Sequence, residues 1–300
     1  AWYYPKAGED MDAAVARETA ALRDGVGILD LPGFSRFNLS GEGAADWLRK
    51  QITGGLPKVG RMNLGYFADD KGRIVTEMSI MRHADDFFTL ITAATAQWHD
   101  REWLESHLDD GLELTDHTDD YSTFIVTGPK SRDLFSGLTD ADLSLGWLSH
   151  QPAKVAGKNA ALARVSFAGE LGWEVHSANA DMPAIYDAII AAGAKPFGMY
   201  ALNSLRLEKG YRAWKGDLST DYTVLQGGLE RFVKWNKETF RGKAALESEK
   251  QTGVTKRFVT LVVDAGDSDI FSSAQLQSME RITAQAWHVP HSRRVDSVTH

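Results

Sequence analysis

Three stretches of this chain carry residue types whose spacing suits chemistry. In Gly72-Arg73-Ile74-Val75-Thr76-Glu77-Met78, period-2 alternation puts Arg73, Val75 and Glu77 on one strand face and Ile74, Thr76 and Met78 on the other. A carboxylate just past a hairpin and among apolar neighbours suits the edge of a cleft, where burial raises its pKa and fits it for proton transfer. The plain alternative is a solvated strand residue. In Ser166-Phe167-Ala168-Gly169-Glu170-Leu171-Gly172-Trp173-Glu174, two glycines three apart permit backbone with φ > 0 between strand pieces, and two carboxylates flank an aromatic. A carboxylate beside an aromatic face suits a flat heterocycle with a 2-amino-amide edge, because two acceptor oxygens meet two N–H donors. A hairpin with a capped turn reads equally well. Ala201–Gly210 reads as a helix ending at a Gly cap, packed into the fold and holding one structural arginine, Arg206.

The elements that would position these residues mix strands and helices. Helices are expected over about Asp12–Asp24, Ala44–Gln51, Ala96–Leu108, Leu134–Leu138, Met182–Gly193 and Tyr200–Lys209. Strands are expected at Gly27–Leu31, Phe34–Leu39, Asn63–Ala68, Arg73–Met81, Phe87–Thr92, Phe124–Thr127, Ala160–Phe167, Trp173–His176 and Phe258–Val263. Asp69-Asp70-Lys71-Gly72 forms the turn of a hairpin. No regular β-α-β alternation appears, which argues an α+β fold over a doubly wound parallel sheet.

Composition excludes several chemistries. The 300 residues contain no Cys, which removes disulfides, thiolate metal sites and a cysteine nucleophile. The nine His are dispersed without a His-x-x-x-His pair, so no metal site is expected. A nucleotide loop and a Gly-x-Ser-x-Gly elbow are both absent. A net charge of −8 with no long Lys/Arg cluster disfavours nucleic acid. No apolar run approaches the roughly 18 residues of a membrane helix, and Ala1-Trp2-Tyr3-Tyr4-Pro5 does not read as a secretory signal. The expected compartment is the cytoplasm, with the mitochondrial matrix left open.

Taken in order, the motifs resemble the glycine-cleavage aminomethyltransferase (T-protein) family, and within it the folate-binding C-terminal half of dimethylglycine and sarcosine dehydrogenases. The resemblance rests on Val26–Leu31, Asp70-Lys71-Gly72-Arg73-Ile74, Gly128-Pro129, Phe167–Glu174, Asn203–Trp214 and Phe240–Leu246, and it holds from about residue 14 to 264. It implies a cloverleaf of mixed α/β domains around a tetrahydrofolate site. Residues 1–54 and 136–235 would form a discontinuous folate-binding domain, 55–135 a second domain, and 236–300 the start of a β-rich third domain with an atypical tail. After about Asp267 the sequence departs from the family pattern, as a shifted frame or a truncated gene would make it.

Carried over residue by residue, the resemblance puts the family's catalytic carboxylate at Glu77, with Thr76 where the family has an Asp. The pterin-binding glutamate falls on Glu174 and its preceding aromatic on Phe167. A pocket-lining Tyr and Asn fall on Phe88 and Thr92. The first Arg of Ala-Arg-Asp-Ser-Leu-Arg falls on Leu202, and its Asp on Asn203. These departures fit the dehydrogenase-associated branch better than the glycine-cleavage branch. The implied activity is capture of a carbon from an oxidised N-methyl amine to give 5,10-methylenetetrahydrofolate. The implied partners are folate, a small amine-derived substrate, and a flavin-dependent amine dehydrogenase subunit or domain. The alternatives are a folate-dependent demethylase and a non-catalytic folate-binding module or truncated fragment.

Overall fold

The computed structural model describes residues 1–31 and 33–260. Contacts divide the chain into Ala1–Arg257 and a second unit that begins at Phe258; everything below concerns the first. Its helices are α1 (Met11–Asp24), α2 (Ala44–Gln51), α3 (Gln97–Ser106), α4 (Ser131–Ser136), α5 (Met182–Ala191), α6 (Met199–Glu208) and α7 (Lys243–Thr252). Its strands are β1 (Gly27–Asp30), β2 (Phe34–Ser40), β3 (Met62–Ala68), β4 (Ile74–Ala84), β5 (Phe87–Ala93), β6 (Glu113–Asp116), β7 (Tyr121–Thr127), β8 (His150–Val155), β9 (Lys158–Ala163), β10 (Gly172–Ala178) and β11 (Lys195–Pro196). The expected strand at Phe258–Val263 is not seen over Phe258–Thr260, and its remainder, like the tail beyond Asp267, lies outside the described residues.

The strands form two sheets. The first has the order β11-β1-β7-β10-β9-β8 and the second β3-β4-β5-β2-β6. Among the named strand pairs only β1–β11 is parallel, as an α+β arrangement requires. Sheet membership changes at the three-residue link between β1 and β2, and again between β6 and β7. The boundaries expected at 54/55 and 135/136 do not coincide with these changes. β2 and α2 belong with the second sheet and β7 with the first.

Each sheet buries an outer face under helices. On the first, Ile28, Val126, Trp173 and Val175 pack against Phe135 of α4 and Met182, Ile185 and Ile189 of α5. On the second, Phe37, Met78, Ile80, Phe88 and Leu90 pack against Trp47 and Leu48 of α2 and Leu104 of α3. Each such side chain contributes about 1.5–3 kcal/mol by leaving water. The first sheet's other face carries Leu29 and Ile125, covered by Leu22 of α1 and by Ala201, Leu202 and Leu205 of α6. Met81 and Ile91 of the second sheet meet Ala163 of the first in a small apolar cluster, so these faces look at each other.

After α6 the chain runs along the β3–β4 edge, where Leu218, Val224, Leu225, Leu229 and Phe240 bury Tyr66, Ala68 and Ile74. Lys237 ties this segment to the end of α2 by donating from Nζ to the carbonyls of Arg49, Ile52 and Gly54, which compensates that helix terminus. No helix among the described residues is long and apolar enough to cross a membrane.

Candidate active site

Glu77 sits mid-way along β4, and the β3–β4 register sets it opposite Tyr66. It is half-buried as a residue, yet its Oε2 is sealed from solvent and has no hydrogen-bond partner. Burial pushes the carboxyl up to about 7, against the opposing pull of the Tyr66 hydroxyl, which donates to it. Burial also pushes the Tyr66 phenol up, helped by the Glu77 charge and opposed by Arg212 and Arg231. These arginines belong to the segment that follows α6. Near neutral pH such a carboxyl exchanges its proton readily, the property general acid–base work requires. The solvated-strand alternative does not describe this residue.

Pairing shows what else looks into the same space. Glu77 shares its strand face with Met81, whose cluster reaches Ala163 of the first sheet. Ala163 pairs with Glu174, and Glu174 with Ile125, so Glu174 lies on the side of the first sheet that faces the second. Glu77 and Glu174 therefore lie on the sides of the two sheets that face each other. Glu174 is half-buried, with Oε2 3.1 Å from His176 Nε2. Phe167 and Leu202 belong to the apolar cluster on that same face.

The link between the two carboxylates is Tyr211-Arg212. The Tyr211 ring lies 6.1 Å from that of Phe167 at an interplanar angle of 20°, while Arg212 acts on Tyr66. A buried clamp holds this turn. Arg206 donates to Asn203 Oδ1 (2.8 Å), to the Tyr211 carbonyl (3.0 Å) and to Asp217, whose Oδ2 also accepts from the Ala213 N–H. Arg206 is thus the structural arginine its helix suggested. Of the two glycines in the Phe167–Glu174 stretch, only Gly169 has positive φ, +80°. Gly172 is needed for space, since a Cβ there would fall 2.6 Å from Ser166 Cβ.

Phe88 and Thr92 are not brought to these facing sides. Register pairs Arg82 with Phe88 and Ile80 with Leu90, which puts Phe88 and Thr92 on the outer face of the second sheet. Phe88 is fully buried in the core under α2 and α3. Thr92 donates to Asp100 Oδ2 of α3 at 2.7 Å, beside the matching bond from Thr76 at 2.9 Å. Sequence reasoning did not single out Tyr66, Arg36 and His176. Tyr66 comes opposite Glu77 only through the register shift at Phe67/Ala68, and the other two meet only across the sheets.

Residues 1–237 match the family model described as the GCVT N-terminal domain. The chain belongs to the GCVT family. Relatives of this GCVT chain include human mitochondrial dimethylglycine dehydrogenase, 34% identical over 89% of the chain but only 33% of the relative. The aminomethyltransferase of Flavobacterium psychrophilum is 30% identical over 85% of the chain and 74% of the relative. Mouse mitochondrial sarcosine dehydrogenase is 30% identical over 94% of the chain and 33% of the relative. The chain thus spans about a third of the length of the dehydrogenases it matches. The crystal structure of aminomethyltransferase T of the Bartonella henselae glycine cleavage system superposes with a TM-score of 0.74 over 84% of this chain and 68% of that one, at 20% identity. It shares the fold.

Membership in the GCVT family implies a folate site, and this pair of facing sheet sides fits one in its chemistry. It offers a sealed carboxylate oxygen that lacks a donor, a second half-buried carboxylate, and a half-buried aromatic surface at Phe167 and Tyr211. A flat, donor-rich heterocycle complements that set.

Proposed function

We propose that this chain binds tetrahydrofolate between its two sheets and transfers to it a one-carbon unit from an oxidised N-methyl amine, giving 5,10-methylenetetrahydrofolate. The observation that carries this reading is the buried, proton-exchanging Glu77 on the inner side of one sheet, with Glu174 on the facing side of the other. Bound tetrahydrofolate supplies the nitrogen nucleophiles, N5 and N10. Glu174 accepts the paired N–H groups of the pterin edge, Phe167 flanks its ring, and Leu202 adds to the apolar wall behind them. Glu77 would take the proton that N10 loses as its bond to the carbon forms and pass it to the amine, which leaves demethylated, with Tyr66 fixing the direction of the carboxyl group. The tight setting of the carboxyl excludes water from that exchange and holds the groups in reacting geometry.

Oxidation of the amine falls to a flavin-dependent amine dehydrogenase domain or subunit, in line with relatives named dimethylglycine dehydrogenase, sarcosine dehydrogenase and sarcosine oxidase subunit alpha. The mammalian relatives are named as mitochondrial, which supports a mitochondrial location as part of this proposal. One observation favours a second reading, a folate-binding module inactive by itself: the chain covers 33% of the dehydrogenases it matches.

Titration with tetrahydrofolate, followed by Trp fluorescence, and methylene transfer from formaldehyde above the uncatalysed background test both readings. Glu77→Gln keeps affinity within about threefold and lowers transfer by roughly 10²-fold or more. Transfer near the wild-type rate in that variant overturns the role of Glu77. Binding without any transfer by the wild-type chain selects the second reading.

A further inference from the structure

Glu174 has a neighbour that defines how it is held. His176 lies two residues along β10 on the same face and is buried, with Nε2 3.1 Å from Glu174 Oε2, in contact with it but not aligned as a hydrogen bond. From the second sheet, Arg36 of β2 brings Nη2 to 2.7 Å from His176 Nδ1. A guanidinium has hydrogens to give and no lone pair to offer, so Nδ1 must be the accepting nitrogen. The imidazole hydrogen is then on Nε2, the nitrogen that faces the carboxylate. The hydroxyl of Thr123, opposite His176 on β7, lies 2.9 Å from the same Nδ1 and fits this tautomer as a second donor.

Charge agrees with geometry. Burial pushes His176 down and the Arg36 charge adds to this, with Glu174 pulling the other way, so the ring is a neutral donor. Arg36 is lowered to about 10 by burial, while the Glu174 charge and Tyr121 oppose the shift; it remains a cation at neutral pH. The set reads cation, neutral ring, carboxylate, in a line that crosses from one sheet to the other.

We propose that Arg36 and His176 are positioning residues for the ligand-binding carboxylate: Arg36 of one sheet locks His176 of the other as the Nε2–H tautomer, and that polar edge, 3.1 Å from Glu174 Oε2, draws this oxygen so that Oε1 is left for the paired N–H groups of the folate. This rests on the reading of Glu174 given above. Its consequence is that affinity for a ligand gripped by the first sheet depends on a side chain of the second. A carboxylate with one oxygen so drawn also loses less freedom on binding, which is how a supporting group improves a site without touching the ligand.

The first test needs no ligand. Imidazole ¹⁵N NMR of the His-labelled chain, with the His176 signals assigned by their loss in His176→Gln, should show protonated Nε2 and bare Nδ1; protonated Nδ1 overturns the proposal. The second measures the Kd of tetrahydrofolate and the transfer rate at saturation. Arg36→Met and His176→Leu weaken binding about tenfold or more, with the saturated rate unchanged. His176→Gln, whose amide still accepts from Arg36 and donates to Glu174, stays within about threefold of wild type. Glu174→Gln separates the two levels. Wild-type affinity in Glu174→Gln overturns the reading of Glu174. Lost affinity there, with wild-type affinity in His176→Leu, overturns the relay alone. Should Arg36→Met fail to fold, the tautomer and the His176 pair still decide.

Discussion

Tyr66 and Glu77 face each other across the β3–β4 pair, the phenol donating to a carboxyl group whose Oε2 meets no donor. One oxygen is thus directed and the other kept available, inside an environment that disfavours its charge. The cost of that arrangement is visible as a dependence of stability on pH.

Because burial raises Glu77 to about 7 from an ordinary 4.5, its contribution to stability is complete below pH 4.5 and is lost as pH rises through 7. The loss at pH 8.5 amounts to up to about 3 kcal/mol. Glu77→Gln cannot ionise, so its stability should gain on wild type by that amount between pH 4.5 and 8.5. Urea unfolding at both pH values checks this; parallel curves for the two proteins would show that burial does not hold Glu77 protonated.

The Tyr66 hydroxyl pulls the Glu77 pKa down, so Tyr66→Phe should move it further up. A ¹³C-carboxyl titration reads the shift directly, and the acid limb of the transfer profile should follow it upward. Movement downward would mean that the phenol is not donating to Glu77.

Asp217 is the counter-charge of buried Arg206, and its loss leaves a guanidinium without compensation. Asp217→Ala should cost about 3–5 kcal/mol in chemical denaturation. It should also weaken tetrahydrofolate binding, because the Tyr211-Arg212 turn loses its clamp. Arg206→Met/Asp217→Leu should recover much of the stability but little of the affinity.

Thr92 supports the outer face of its sheet. Thr92→Val removes one of the two threonine donors to Asp100 and should cost about 1–2 kcal/mol. Affinity for tetrahydrofolate should stay within about twofold. A tenfold loss of affinity without loss of stability would return Thr92 to the ligand site.

Local signals made many elements legible. Ala44–Gln51 is bounded in the sequence as in the structure, between the left-handed Gly43 and an extended Ile52. The Asp69–Gly72 turn is where its residues predict it. His150–Val155 lacks the usual signature because Pro152 interrupts it, a residue tolerated here since β8 is the sheet's last strand. Glu113–Asp116 and Lys195–Pro196 are too short for periodicity and exist through their partners β2 and β1.

The site shows the same division. Period 2 places Glu77 on a face, but continuing from the Ala68–Ile74 pair beside the turn would set Tyr66 opposite Thr76. The irregularity at Phe67/Ala68 moves that pairing to Glu77. Phe88 and Thr92 share a face by spacing, and only register tells which face it is. Arg36 and His176 lie 140 residues apart, beyond any local rule.

The three-residue step from β1 to β2 also sets an order of events on the ribosome. The second sheet has all its strands once Asp116 is made, whereas β1 must wait for β7 and then for β11. At about 5–20 residues per second, β1 stays unpaired for on the order of 5–20 s. Its Gly27-Ile28-Leu29 run lacks a strand partner for that interval, and a nascent chain arrested before Tyr121 would expose it as an unpaired edge.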